Sequence, residues 1–248
     1  VVENSYIGTQ YGLQNITSMT LDASYNMYVL NKNINGTTIT TNGFLTKITL
    51  ENEVISATNI VSGIDNPIDV VFDRTNNVYV YILSGNTPDV RITRYSLDAI
   101  DIQGSAFVLP IPFGDLYDPN GICVDENVPD QILMYITNTT QSGSHEIKQF
   151  YLESYQSVPQ YTIASVASLQ YKGYKIVNKN DGKLYVNNKD NNSIMVVYIP
   201  SVVYAPVPVY VVPWASQDIV VPSDIDFDPS GNLYVVNSGT SPRNSRIS

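Results

Sequence analysis

A unit of about 50 residues recurs five times along the chain, and this repeat constrains the fold more than any other feature. Each copy has a short β-rich segment, a turn with Asp or Asn, and a strand that contains an apolar-Tyr-Val core, as in PSDIDFDPSGNLYVVNS from Pro222. A repeat of this length indicates one supersecondary unit that is copied along the chain. The tyrosines that mark the five copies are Tyr28, Tyr79, Tyr135, Tyr185 and Tyr234.

Each unit continues with two further candidate strands, which in the second unit are VRITRYSLD and SAFVLPIPF. Four strands in about 50 residues are typical of β-propeller blades. Pro110 and Pro112 lie two residues apart in the fourth segment, so their missing N–H groups face the same side and place this strand at an outer edge. We therefore predict an all-β chain, a β-propeller of four-stranded antiparallel blades, in which residues 1–248 form a single domain and the first strand of each blade is innermost.

The composition excludes several classes of partner. Acidic residues outnumber basic ones by 23 to 13, and the net charge of -10 leaves no basic footprint for nucleic acid. The longest apolar stretch, residues 202–214, is broken by prolines and is too short to span a bilayer, so no membrane insertion is expected. The chain has one histidine, His145, and one cysteine, Cys123. A histidine dyad and an intrachain disulfide are therefore excluded, and we expect a strand-end role for His145 and a buried apolar role for Cys123.

The fifth unit carries a family resemblance in its motif P-x-D-I-x-F-D-x-x-G-N-L-Y-V. This motif resembles an NHL-type repeat, and the units are similar to the blades of the gluconolactonase and senescence-marker lactonase propellers. The resemblance covers most of the chain and is strongest in the second, third and fifth units. It implies a ligand-binding face where the innermost strands begin. The P-N-G sequence at Pro119 resembles the metal-binding motif of the lactonases, which implies Asn120 as a metal ligand.

Three other residues are candidates for the same face. Asp69 and Asp224 follow the proline of their units by two residues, and Asp226 lies one step further along its strand. Together with Asn120 they would offer the carboxylate and amide oxygens that suit Ca²⁺. The alternative is that these groups cap strand starts and turns. The lactonase pattern also requires an acidic residue where this chain has Asn138, which weakens the metal interpretation.

Four N-glycosylation sequons begin at Asn15, Asn35, Asn138 and Asn191. The last three follow the Tyr-Val strand, where we expect an exposed turn. Their number matches chance for this composition, so the sequons permit glycosylation without indicating it.

Two functions remain open. The first is a non-enzymatic, extracellular or surface-exposed module that contacts a protein or a glycan and belongs to a larger complex or fibre. The second is a divalent-metal-dependent lactonase or esterase. We favour the first, because no complete catalytic constellation is present and the ligand set for a metal is partial.

The end of the chain generates a testable prediction. The terminal SRIS matches the start of VRITRYSLD but stops at Ser248, after one or two residues of the expected strand. We expect the natural polypeptide to extend further, so that residues 1–2 close a ring of five blades or a longer continuation adds a sixth. Intact-mass measurement of the native protein checks this. A deglycosylated mass equal to that of these 248 residues would contradict it.

Overall fold

The computed structural model describes residues 13, 15–35, 38–51, 54–74, 78–109, 111, 114–125, 132–152, 161–179, 181–198, 219–227 and 231–237. Nearly all regular structure in these ranges is β-strand, and one 3-10 turn at Gln103–Ser105 is the helical element among them. Within the same ranges no helix is long and apolar enough to cross a membrane. The prediction of an all-β chain is confirmed.

The chain divides into two compact units, and the first comprises residues 1–86 and 90–109. This unit contains two four-stranded antiparallel sheets whose strands follow one another in chain order. One sheet consists of β1 (Ile16–Leu21), β2 (Met27–Asn35), β3 (Thr38–Glu51) and β4 (Val54–Asp65), and the other of β5 (Pro67–Asp73), β6 (Tyr79–Ser84), β7 (Arg91–Ser96) and β8 (Phe107–Val108).

The second unit comprises residues 87–89 and 110–248. Its described strands form sheets of four, three and two strands, again in chain order and antiparallel. The strands are β9 (Asp118–Val124), β10 (Ile132–Thr139), β11 (His145–Leu152), β12 (Tyr161–Leu169), β13 (Ile176–Asn178), β14 (Lys183–Asn188), β15 (Ser193–Tyr198), β16 (Pro222–Phe227) and β17 (Leu233–Asn237).

The first strands of consecutive sheets contact one another inside each unit. Strand β1 contacts β5, β9 contacts β13, and β13 contacts β16. The fourth strands β4, β8 and β12 lie at the opposite edge of their sheets. This order matches the blades of a β-propeller, so the predicted fold class is confirmed, with four to five blades. Pro110 and Pro112, the ring-closing residues 1–2 and the fourth segments of the last two repeats lie outside the described residues, and the single-domain assignment stays a prediction.

The hydrophobic core lies between consecutive sheets of each unit. In the first unit Leu45 packs in one fully buried cluster with Val70 and Ile82 of the next sheet. In the second unit Ile147 packs in the same way with Met195. Burying such a side chain contributes about 1.5–3 kcal/mol, and this gain is available only if every second residue of a strand faces the neighbouring blade.

The cross-strand register corrects one of the five marker tyrosines. Tyr28 and Tyr135 each face the residue two positions before the turn aspartate of their repeat. In the second repeat the residue in this register is Tyr81, which pairs with Val71, whereas Tyr79 pairs with the turn residue itself. Tyr81 is fully buried and Tyr79 is not. In Y-V-Y-I-L the two tyrosines lie two residues apart and therefore face the same side of the strand. The apolar-Tyr-Val motif selected Tyr79, which is the wrong one.

The marker tyrosines were expected to pack between blades. Tyr28, Tyr135 and Tyr185 are buried as expected, but Tyr234 remains 42% exposed. Its strand β17 pairs only with β16 among the described residues, so no third strand covers it there.

The buried tyrosines bind the aspartates of the first turn through their hydroxyl groups. The Tyr28 hydroxyl donates to Oδ2 of Asp22 at 3.1 Å, and the Tyr185 hydroxyl donates to Oδ2 of Asp181 at 3.2 Å. Asp22 also accepts the backbone N–H groups of Ser24 and Asn26 through Oδ1. This confirms that Asp22 forms the turn. Burial and the nearby carboxylate raise the pKa of Tyr185 to about 12.

These contacts predict the effect of removing a single hydroxyl group. We expect Tyr28→Phe to lower the free energy of unfolding by about 1–1.5 kcal/mol, because Asp22 loses one hydrogen bond while the ring stays packed. Urea denaturation measures the change. The matched control is Tyr25→Phe, since Tyr25 is 73% exposed and should tolerate the change without loss. Equal effects of the two substitutions would contradict the proposed role of the hydroxyl.

Candidate functional site

The four predicted metal ligands are already engaged in local hydrogen bonds. Asp69, in the first unit, is buried, and its Oδ1 accepts the hydroxyl of Ser18 and the N–H of Val70. In the second unit Asn120 is half-buried and donates through Nδ2 to the carbonyl oxygen of Asp118 at 2.8 Å. The bonds to Val70 and Asp118 are of the kind made by groups that cap strand starts, the alternative interpretation of the sequence, and the metal assignment stays a prediction.

The two aspartates of the fifth repeat behave similarly. Oδ1 of Asp224 accepts the N–H of Ile225 at 2.8 Å, and Oδ1 of Asp226 accepts the N–H of Phe227 at 2.8 Å. Asp226 is exposed. Within the described parts of the chain, no three His, Cys, Asp or Glu side chains come close enough together to hold a metal ion.

A different group of charged residues gathers in the second unit, around the ring of Tyr174. We call it the Tyr174 cluster and define it as Asp118, Lys172, Tyr174, Lys189 and Asp190. Lys172 Nζ lies 2.7 Å from Oδ2 of Asp118 and 5.5 Å from the centroid of the Tyr174 ring. Lys189 Nζ lies 4.4 Å from the same centroid, and the Tyr174 hydroxyl lies 3.5 Å from Oδ1 of Asp190. Two ammonium groups therefore share one aromatic ring.

The fold brings these residues together at one end of the sheets. Asp118 begins β9, Tyr174 lies just before β13, and Lys189 directly follows β14. Because paired strands run antiparallel, the start of a first strand and the end of a second strand lie at the same end of a sheet. This is the end at which the sequence predicted ligand binding.

Backbone contacts hold the segment that carries Tyr174. Its N–H donates to the carbonyl of Asn187 at 3.2 Å, and Thr137 Oγ1 donates to its carbonyl oxygen at 3.1 Å. A Cβ atom at Gly121 would overlap that carbonyl oxygen. The glycine of P-N-G is therefore required for the close approach of β9 to this segment, which is a packing role.

Lys189 is presented by a turn that a buried asparagine closes. Oδ1 of Asn188 accepts the N–H of Asp190 at 2.8 Å and the N–H of Asn191 at 3.3 Å. Both N–H groups would otherwise point into the turn without a partner from the strand. These bonds hold the backbone of the turn that carries Lys189, whose ammonium group lies beside Tyr174.

The electrostatics of Lys189 distinguish it from an ordinary surface lysine. It is half-buried, and burial lowers the pKa of its ammonium group, with a further lowering from the charge of Lys172. The carboxylates of Asp224 and Asp190 oppose this effect only in part. No ion pair or hydrogen bond of Lys189 joins it to another described residue within the usual distances. Its ammonium group therefore interacts with the carboxylates of Asp224 and Asp190 without forming a direct ion pair with either.

Asparagine residues at the ends of the second strands were missed as structural groups. Asn138 is 4% exposed; its Oδ1 accepts the N–H of Tyr117 at 3.0 Å and its Nδ2 donates to Oε1 of Glu146 at 2.8 Å. Asn237 is also buried and accepts the N–H of Val220. The signal was present as Y-x-x-N in four of the five repeats. These side chains fix the loops that lead into the first strands.

The same contacts correct the interpretation of one sequon. The expected exposed turn is wrong for Asn138, because its amide is buried and bound to Glu146. Asn191 is exposed, as expected. Asn15 is half-buried with a φ of 52°, and the side chain of Asn35 lies outside the described residues.

The lone histidine and cysteine have the roles predicted for them. His145 begins β11, and its Nδ1 lies 3.2 Å from Oγ1 of Thr139. Cys123 is a buried thiol within the core of the second unit. Neither residue belongs to the Tyr174 cluster.

Comparison with known proteins shows the fold. The sequence matches no protein-family model and no curated protein. A proposed oxidoreductase (glucose dehydrogenase) of Thermus thermophilus is similar with a TM-score of 0.65 at 10% identity, over 95% of this chain and 96% of that chain. An auxiliary nutrient binding protein of Bacteroides thetaiotaomicron is similar with a TM-score of 0.60 at 12% identity, over 91% of this chain and 53% of that one. A gluconolactonase of Xanthomonas campestris follows with 0.52 at 13% identity, over 90% and 69%.

Burial predicts which sequons a glycosylating host can modify. When the chain is secreted from a eukaryotic cell, we expect Asn191 to carry a glycan and Asn138 to remain unmodified, because the Asn138 amide is buried. Glycopeptide mass spectrometry measures site occupancy, and Asn191→Gln should remove the corresponding mass. High occupancy at Asn138 in the folded protein would contradict the structural role of its side chain.

Proposed function

We propose that this protein is a non-catalytic binding module, extracellular or surface-exposed, and that the Tyr174 cluster contacts its ligand or partner. The observation that carries the proposal is the pair of ammonium groups beside the Tyr174 ring, of which Lys189 is half-buried and forms no ion pair with a described residue. A half-buried cation next to an aromatic ring supports recognition of a ligand. The nutrient binding protein that shares this fold is consistent with such a role.

The alternative is a metal-dependent lactonase or esterase. It draws support from the gluconolactonase that shares the fold and from the position of Asn120 at the start of a first strand. The residues present fit a Ca²⁺ ion poorly, because the carboxylates in the first strands of the second unit already have cationic neighbours. Lys172 pairs with Asp118, and Lys189 interacts with Asp224. An ammonium group beside these oxygens repels a second cation.

The wider setting of the module follows from the same interpretation. We propose a protein or glycan partner, and assembly into a larger complex or fibre, for a chain whose units resemble NHL-type repeats. Glycosylation at Asn191 would be consistent with an extracellular location, since this asparagine is exposed. A net charge of -10 argues against nucleic acid as the partner.

Enzyme assays and arrays separate the two functions. We expect no hydrolysis of D-glucono-1,5-lactone or p-nitrophenyl acetate above background with Ca²⁺, Mn²⁺ or Zn²⁺, and no metal-dependent rise in melting temperature. On arrays of glycans and peptides we expect binding without turnover. Hydrolysis that requires metal and is lost in Asn120→Ala would overturn the binding-module proposal, and so would the absence of any ligand on the arrays.

A further inference from the structure

We propose that the Tyr174 cluster binds the carboxylate group of a ligand that carries a single negative charge, with Lys189 and Lys172 as the two cationic contacts. This inference rests on the proposed function and names the chemical class of its ligand. The carboxylate would belong to an acidic sugar or to the end of a polypeptide, and both sources share the same recognition chemistry.

The two lysines are neighbours on one aromatic ring. Both ammonium groups lie over the Tyr174 ring, at 5.5 Å and 4.4 Å from its centroid. Burial lowers the pKa of Lys189 and the charge of Lys172 lowers it further, so the two ammonium groups repel each other. An anion that contacts both ammonium groups relieves this repulsion and gains two charge-assisted hydrogen bonds.

The two lysines also have complementary roles. Lys172 is held by Asp118 at 2.7 Å, and its side chain is 26% exposed, so it keeps an accessible surface while it is fixed in place. Lys189 forms no direct ion pair with a described side chain, although Asp224 and Asp190 act on it electrostatically. A bound carboxylate would be anchored by Lys189 and oriented by Lys172.

The surrounding carboxylates limit the charge of the ligand. Asp190 lies 3.5 Å from the Tyr174 hydroxyl, and Asp224 acts electrostatically on Lys189. A polyanion such as a phosphorylated chain would bring further negative charges against these groups and against a protein of net charge -10. A single carboxylate avoids most of this repulsion, and the aromatic ring favours an otherwise neutral ligand body.

Calorimetric titration of the whole protein tests the inference with paired probes. Methyl β-D-glucuronide carries a carboxylate where methyl β-D-glucoside carries a hydroxymethyl group, so the pair isolates the charge. We expect the glucuronide to bind at least about tenfold more tightly than the glucoside, since a hydrogen bond to a charged group contributes about one such factor. N-Acetylglycine supplies a carboxylate without a sugar.

Two substitutions locate the binding site. Lys189→Gln should weaken glucuronide binding roughly tenfold, and Lys172→Gln gives an independent test if the first variant folds poorly. The matched control is Lys183→Gln: Lys183 also lies over a tyrosine ring, at 5.6 Å from the Tyr198 centroid, but at the start of β14, the opposite end of that strand from Lys189. We expect the control to bind as the wild type does. Circular dichroism confirms that each variant is folded.

The outcomes are separable. Binding by N-acetylglycine and glucuronide alike supports recognition of the carboxylate alone, whereas binding by the glucuronide only supports an acidic sugar. Equal affinity for glucuronide and glucoside, no binding of either carboxylate at millimolar concentration, or equal effects of the Lys189 and Lys183 substitutions would overturn the inference. If the carboxylates fail while arrays still show ligand binding without hydrolysis, only this inference falls. Metal-dependent lactone hydrolysis would instead remove the proposed function itself.

Discussion

A hydrogen bond from a second-strand tyrosine to the turn aspartate holds the first two strands together in the first, third and fourth repeats. It joins Tyr28 to Asp22 and Tyr185 to Asp181, and in the third repeat burial and a hydrogen bond with Asp125 raise the pKa of Tyr135. The bond spans the turn between the first and second strands, so it fixes their register. A slip of one residue would turn every buried side chain to the opposite face of the sheet. The clusters between consecutive sheets form only because this register is maintained.

The buried asparagines act at the other end of the same strands. A second strand that begins with a tyrosine anchored to a turn ends with an asparagine anchored to a loop, as Asn138 is to Tyr117 and Asn237 is to Val220. Because these amides satisfy the backbone N–H groups of Tyr117 and Val220, they hold the residues just before β9 and β16 in place. In the fourth repeat Asn188 extends this order to Lys189 and Asp190. The asparagine hydrogen bonds at the ends of the second strands therefore also position the candidate site.

The spacing of the repeats and their turn residues were sufficient to predict the fold class and the strand order. A pattern that recurs five times identifies the strands more clearly than any single copy does. The choice between Tyr79 and Tyr81 was not accessible in the same way, since it depends on how tightly the chain turns after Asp73. The burial of Asn138 could have been inferred from its place in Y-x-x-N, but the sequon drew attention to a surface role. The Tyr174 cluster was missed because it combines residues far apart in the chain, and its repeat is the most degenerate of the five.

The positions at which the five repeats differ are informative about function. One position, just before the buried residues of the first strand, is equivalent in all five repeats, as the shared register shows. The residues at this position are Ser18, Asp69, Gly121, Lys175 and Asp224. If equivalent residues of successive repeats formed a metal centre, we would expect an acidic residue at this position in every repeat. In the third and fourth repeats the position changes to glycine and lysine, while the fifth keeps Asp224. The glycine is needed because the backbone before β13 approaches so closely. Gly121 and Lys175 lie beside Tyr174, and they leave Asp69 and Asp224 as the carboxylates at this position of the five repeats.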